Sequence, residues 1–378
     1  MKQNWVYKRL DEACRIEFGT RVVQKKDGGS TYDVYGGGGA TFKMDRYNRE
    51  DCFIVSRFAM SPKCTRYVKG KFFLNDSGLS VSTNIPDLSQ AFVDSFLLAN
   101  NDKIYAMGKG AAQRNLDMAS FRKMNIPVPP MSEQSRIVAE LDLLTGIIDK
   151  QKAQLTELDN LAQSIFYDMF GDPIENPKGW SIKKLGELSS LITNGNTPKG
   201  GEQVYVDKGI LFLRSQNVWK NRIDYDDVAY IDDATNAVLK KSVLHHNDIL
   251  ITKTGRINTE NSSLGRSALF DGETGTANIN GHVYLVRLFD GISHTFVLRI
   301  LISKAYREYI RKVCVGGIDK RQINKDHVED FPIIVPPFSL QQEFADKITA
   351  IEKQKSAINQ SMADTQKLLD YTMDKYFG

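Results

Sequence analysis

The sequence predicts an α+β protein: two similar globular α/β domains, separated by two long helices that pack as an antiparallel coiled coil about a pseudo-twofold axis. Three observations predict it. The chain duplicates itself, each copy closes on a proline pair followed by a long coiled-coil seam, and positive charge collects outside the seams.

At 378 residues the chain suits two ordinary domains plus connecting elements, because single hydrophobic cores usually stop growing well before this size. Hydrophobic residues at 41% and charged residues at 25% describe an ordinary soluble protein. No apolar stretch approaches the roughly 18 residues that a membrane span needs. The opening MKQNWVYKRLDEACR lacks the apolar core of a secretory signal, so a cytoplasmic location without a membrane partner is expected. Cys14, Cys52, Cys64 and Cys314 form no CxxC pair and are expected as reduced, buried thiols. Residues 1–130 carry 20 lysines and arginines against 13 acids, and residues 180–337 carry 21 against 18. The remaining stretches are net acidic, which points globular surfaces at a polyanion and helices at protein.

The first domain, residues 1–130, opens with WVYKRLDEACRIEFG from Trp5, and the second, residues 180–337, opens with WSIKKLGELSSLITNG from Trp180. Tryptophan, a basic pair, leucine and glutamate stand in step at an offset of 175. Apolar helical runs follow at Phe92 and Phe296, and Gly110–Pro130 then aligns with Gly317–Pro337 without a gap at an offset of 207. The second copy is therefore about 32 residues longer in its interior, as variable loops on a common scaffold would be.

Each Val-Pro-Pro ends its domain and starts a helix, because proline is tolerated before or within a first turn. Ser132 with Gln134, and Ser339 with Gln341 and Gln342, read as capping patterns for the two starts. In the first spacer, residues 131–171, apolar residues recur in 4,3 alternation at Ile137, Leu141, Leu144, Ile148, Leu155, Leu158 and Ile165. In the second, residues 338–378, the seam is Phe344, Ile348, Ile351, Ile358, Met362 and Leu369, with more polar members interleaved. Each helix would run about 38 residues, or about 57 Å, and end at Phe170-Gly171 or Phe377-Gly378, glycine standing where a C-cap belongs. Residues 172–179, punctuated by proline and glycine, link the halves.

This organisation resembles the specificity subunit of a Type I restriction-modification enzyme. The resemblance spans essentially the whole chain and rests on Trp5 and Leu10, Trp180 and Leu185, ILFLRSQNV from Ile210, Gln113 to Leu116, Arg321 to Ile323, and the proline-to-helix junctions. It implies that the globular parts are target recognition domains, each reading half of a split site on double-stranded DNA. It further implies that the helices bind two methyltransferase subunits, which use S-adenosylmethionine to methylate adenine, and that a restriction subunit driven by ATP and Mg can join. The chain itself would need no cofactor and perform no catalysis.

Two similar readers on one rigid duplex cannot both touch contiguous bases, so a bipartite asymmetric site with a spacer of roughly six base pairs is expected, scaled from one turn of about 34–36 Å. Within each domain, arginine, asparagine and glutamine in turns suit bidentate contacts to bases, and lysine or arginine suits phosphate. The first candidates are Gln113, Arg114 and Asn115, with Lys320, Arg321, Gln322 and Asn324, placed on short loops after glycine. Arg214, Ser215 and Asn217 come next, then Lys253, Arg256, Asn258 and Arg266 in KTGRINTENSSLGR, then Arg57 and Lys109.

Enzymatic readings are weaker. Ser181-x-x-Lys184, Ser215-x-Asn217 and Lys253-Thr-Gly255 follow the order of penicillin-binding motifs, but lie too close together for that fold. A DNA adenine methyltransferase needs an asparagine or aspartate before Pro-Pro-aromatic, and here Val335 precedes Pro336, Pro337 and Phe338. Tyr35-Gly-Gly-Gly-Gly39 has no P-loop lysine and reads as a tight hairpin. No histidine has a metal-ligand spacing. A coiled-coil scaffold without DNA specificity is the remaining alternative.

Overall fold

The apolar and β-branched runs FIVS, TRYVKGKFFL and GLSVST make the backbone of the first domain's sheet, because such residues pack well on a pleated, half-buried surface. The computed structural model describes residues 5–257, 262–317 and 320–378. It divides into two compact units: Met1–Gln154 with Ile358–Gly378, and Leu155–Ala357. In the first, six strands lie in the order Cys14–Phe18, Gly78–Thr83, Arg49–Ser56, Thr65–Leu74, Tyr32–Tyr35, Ala40–Met44. Helix Gln90–Ala99 covers the sheet, burying Phe92, Val93, Phe96 and Leu97 against Phe53, Val55, Leu79 and Val81.

In the second unit, Ile249–Thr252 is buried at every position, as a central strand must be. It pairs with Val283–Leu288 and Ser267–Leu269, and Ser189–Asn194 completes a four-stranded sheet. A second sheet sets Ile210–Leu213 between Ala229–Ile231 and, in parallel, Ala277–Ile279.

The duplication read from the sequence is exact in register. Strand Val6–Arg9 pairs with Asn125–Val128 so that Val6 faces Val128, and Ser181–Lys184 pairs with Pro332–Val335 so that Ser181 faces Val335. The capping serines of the two covering helices, Ser89 and Ser293, stand 204 apart, so the extra length of the second unit falls between the 175 and 207 offsets. No described helix is long and apolar enough to cross a membrane.

Long helices occupy Met131–Phe170 and Phe338–Phe377, and the antiparallel pairing expected of them is present in both units. In the first, Arg136 donates to the Tyr376 hydroxyl at 3.2 Å and Gln151 donates to the Ser361 hydroxyl at 2.9 Å. In the second, Lys355 meets Asp159 at 2.8 Å and Phe166 packs on Phe344. The seam residues Ile137, Leu141, Leu144 and Ile148 are buried, as are Phe344, Ile348, Ile351 and Leu369. Leu155, Leu158, Ile165, Ile358 and Met362, nearer the middle of the pair or set among polar neighbours, are only half-buried.

The helix starts differ from expectation. The helices begin at Met131 and Phe338, so Ser132 and Ser339 lie inside the first turn rather than capping it. Gln134 and Gln341 are fully buried and serve the domains instead. Gln134 accepts from the Ser89 amide (2.8 Å) and donates to the carbonyls of Pro129 and Asp87; Gln341 accepts from Ser293 (3.0 Å) and donates to Pro336 (2.9 Å). One amide thus locks each long helix to the start of its domain's covering helix. Gln341→Leu keeps the volume but strands the Ser293 amide and the Pro336 carbonyl, and urea denaturation should show a loss of about 1–3 kcal/mol.

The helix ends show what the duplicated tryptophans do. Trp180 donates from Nε1 to the carbonyl of Phe170 at 3.0 Å, satisfying a group that a helix end leaves open. Trp5 stacks on Tyr376, with ring centroids 6.5 Å apart. Gly171, at φ +80°, takes the left-handed conformation a C-terminal glycine permits, and its amide reaches Tyr167 at 2.8 Å.

Candidate nucleic-acid interface

In the first unit the backbone gathers all five of its candidates. Short strands Gly108–Lys109 and Asn115–Leu116 pair, with Gln113 exposed in the bend between them. The Arg57 carbonyl accepts from Leu116, the Arg114 carbonyl accepts from Met60, and Asn115 Oδ1 accepts from the Ala59 amide at 3.2 Å, so residues 57–60 and 113–116 form one surface. Aromatic rings hold its cations. The Arg57 guanidinium lies 4.3 Å from the Phe18 ring centroid and 4.4 Å from that of Phe58; Arg114 lies 4.5 Å from Tyr105 and donates to Gly108 at 3.2 Å. Lys109 is exposed and bonds Asp117 at 2.6 Å. That lysine and the Ser120 hydroxyl hold the Asp117 carboxyl down at about 2.

The second unit builds the equivalent place with a different local structure. Lys320–Gln322 is the middle strand of a three-stranded sheet rather than a loop, because its backbone pairs on both sides. Arg321 faces Gly255 on one neighbour and Gly316 on the other, and two glycines let this side chain be flanked closely. The loop carrying Lys253 and Arg256 is thereby joined to Lys320, Arg321, Gln322 and Asn324. Lys253 sits 5.7 Å from the centroid of Tyr284 and accepts at its carbonyl from Ile323; Arg256 and Lys320 are exposed. Gln322 donates to Asn324 Oδ1 at 3.3 Å, and the Asn324 amide donates to His327 Nδ1 at 3.2 Å. Arg321 Nε is buried with no hydrogen-bond partner among the described residues. Asn258 lies outside the described residues.

The 214–217 turn is not joined to this surface by any described hydrogen bond or strand pairing, and it spends its polar groups on itself. Asn217 is buried; its Oδ1 accepts from the Arg214 amide and its Nδ2 donates to the carbonyls of Asp224 and Asp227. Arg214 pairs with Asp227 at 3.1 Å, and Ser215 is half-buried in the turn. These residues brace the turn, as asparagine in turns commonly does. Arg266 is held by the Trp219 ring, 3.8 Å from its centroid, and donates to Ser262.

The features that suggested catalysis are structural. The Ser181 hydroxyl donates to Val335. Gly37 lies so close to Phe58 that a Cβ would sit 2.1 Å from its carbonyl oxygen, which accounts for glycine in that run. Among the described residues no three metal-ligating side chains come together. Sequence reading missed the helix Lys304–Val313, although Lys304, Arg307 and Arg311 stand at i, i+3 and i+7 and so share a face.

Comparison with known proteins adds to this geometry. The profile of the type I restriction modification DNA specificity domain matches residues 2–160 and 177–365. The EcoKI specificity subunit of Escherichia coli is 28% identical over 174 residues, covering 43% of this chain and 36% of its own. The StySPI specificity subunit of Salmonella potsdam is 23% identical over 291 residues, 71% of this chain and 61% of its own. The chain thus spans less than two thirds of the length of these two relatives. A Haemophilus influenzae chain, provisionally named a type I restriction enzyme specificity subunit, is 23% identical over 377 residues, 94% of this chain and 90% of its own. Among solved structures, the S subunit of a type I restriction-modification system from M. genitalium superposes with a TM-score of 0.58 at 15% identity, covering 99% of this chain and 96% of its own. At that identity the likeness speaks for the fold.

Proposed function

The chain belongs to the type I restriction modification DNA specificity domain family, and on that premise we propose that it is a non-catalytic subunit that reads double-stranded DNA. Each unit reads one half of a bipartite, asymmetric site with a spacer of roughly six base pairs. The long helices position two methyltransferase subunits, and a restriction subunit where one is present; S-adenosylmethionine, ATP and Mg are bound by those partners.

One observation carries the reading. At positions 207 apart, each unit sets an arginine at a strand pair, Arg114 immediately before strand Asn115–Leu116 in one and Arg321 within strand Lys320–Gln322 in the other, beside exposed Gln113 or Lys320. Arginine suits guanine and asparagine or glutamine suits adenine, so a repeated arginine with amide neighbours is a chemistry of direct readout. A scaffold built only for assembly has no use for it at two equivalent places.

Sequencing native adenine methylation in cells with, without and with an Arg321→Ala form of the chain tests the proposal. A split methylated motif should be present in the first and absent in the second. With Arg321→Ala, loss of about 1–3 kcal/mol at one base should blur one half of the motif while the other half stays sharp. A single continuous motif, or one that survives deletion of the chain, refutes it.

A further inference from the structure

In the first unit Arg57 is fixed everywhere except at its donors. Its guanidinium lies over the rings of both Phe18 and Phe58, and its side-chain nitrogens have no hydrogen-bond or ion-pair partner among the described residues. Arg114, by contrast, already donates from Nε to Gly108. The backbone beneath Arg57 is held as firmly. The Ser77 carbonyl accepts from the amides of Arg57 (2.8 Å) and Phe58 (3.2 Å), and the Ser77 hydroxyl accepts from Gly37 (3.1 Å). Ala59, at φ +49°, keeps a left-handed conformation that a residue with a Cβ rarely adopts. Gly19, directly after Phe18, comes so near the next turn that a Cβ would stand 1.9 Å from the Asn75 carbonyl oxygen.

The same backbone frame recurs in the second unit, around Lys253. The Arg57 carbonyl accepts from Leu116 at 2.8 Å and that of Lys253 from Ile323 at 3.0 Å, amides 207 positions apart. Each of the two residues donates its own amide at 2.8 Å, Arg57 to Ser77 and Lys253 to His282. The amides of Ser77 and His282 in turn donate to Asn75 and Asn280 at 2.9 and 3.0 Å. Gly195 crowds the carbonyl of Ile279 as Gly19 crowds that of Asn75. Lys253 therefore stands where Arg57 stands, but Asn194 precedes that glycine in place of Phe18 and Thr254 follows the lysine in place of Phe58.

An arginine ordered in advance loses little freedom on binding, and its planar fork matches the O6 and N7 acceptors of guanine. A lysine is a point charge on a flexible stem and cannot make those two parallel bonds. We infer that Arg57 reads a guanine in the half-site of the first unit, that Phe18 and Phe58 are the positioning residues that aim its fork, and that Lys253, at the same place without them, makes the other half unlike it. The inference rests on the DNA-reading function proposed above.

The test begins with the motif given by native adenine methylation. Arg57→Ala should blur one G·C pair, in the half that Arg321→Ala leaves sharp. Binding is then measured on duplexes that carry the motif with 7-deazaguanine at that pair, which removes the N7 acceptor. The analogue should weaken the unaltered chain about tenfold, the worth of one charge-assisted bond, and leave Arg57→Ala unaffected. Phe58→Leu keeps every donor, so it should bind with a smaller analogue effect; an effect equal to that of the unaltered chain overturns the positioning role. Arg57→Lys guards against a folding defect in Arg57→Ala: it keeps the charge, and should relax the same pair while leaving the salt slope unchanged. If the unaltered chain gives no split motif, the DNA-reading function itself falls. If the motif is split but both Arg57 variants leave both halves sharp, or the half they blur contains no G·C pair, the assignment of Arg57 alone is overturned.

Discussion

Phe166→Ala is expected to cost the second unit about 3–5 kcal/mol, the range for deleting a fully buried phenylalanine and leaving a cavity behind. Phe166 is 1% exposed and its ring packs on three other phenylalanines: Phe170 at 5.2 Å, Phe344 at 5.5 Å and Phe296 at 5.9 Å between centroids. Those rings belong to the end of one long helix, the start of the other and the covering helix of the domain. One truncation therefore opens a hole where three elements meet, and none can close it without moving a rigid helix. Leu161→Ala, on the same helix but half exposed, should change stability by no more than about 0.5 kcal/mol. Urea denaturation of both variants checks this. Near-equal midpoints would mean that the ring cluster does not hold the helices to the domain. The first unit uses the same device with Phe92, Phe96 and Phe377, the latter 5.2 Å from Phe92.

Much of this fold was legible because its signals are local or repeated. The proline pairs, the 4,3 spacing from Ile137 and from Phe344, and the terminal glycines gave both long helices, and the two offsets gave the duplication. What escaped depends on partners distant in the chain. Gln134 and Gln341 sit where a cap would, and only the presence of Ser89 and Ser293 turns them into locks. Phe166 falls between the seam positions Ile165 and Met169. A seam calculated for two helices has no place for it, because at the helix end a third element packs on a second face. In the candidate interface, residue type did not separate readers from braces. Asn115 and Asn217 look alike in sequence, yet Asn217 is consumed by its own turn while Asn115 pins two segments together at a partly exposed surface. Arg321 was found by repetition with Arg114.

Arg287→Met should cost a further about 3–5 kcal/mol by a different route, the exposure of a buried charge rather than of a void. Asp248 is 1% exposed, and Arg287 meets it with two bonds, Nε at 2.9 Å and Nη2 at 2.6 Å; the amide of His245 adds a third at 2.7 Å. Methionine fills much of the arginine's volume but leaves the carboxylate with one amide in a dry interior. The reverse change, Asp248→Leu, should cost less, because the Arg287 side chain is 22% exposed and its guanidinium can turn toward water. The double variant, which buries no unpaired charge, should recover a large part of the loss, and a double-mutant cycle in urea measures that coupling. Single losses that simply add would show the pair to be incidental. The site has a consequence for binding as well. Asp248 immediately precedes strand Ile249–Thr252, whose far end leads into Lys253, and that strand carries the loop onto the Arg321 sheet. If the chain reads a split DNA motif as proposed, Arg287→Met, by loosening the root of the strand, should blur the half read by the second unit before the other, although neither Arg287 nor Asp248 is among the candidate readers.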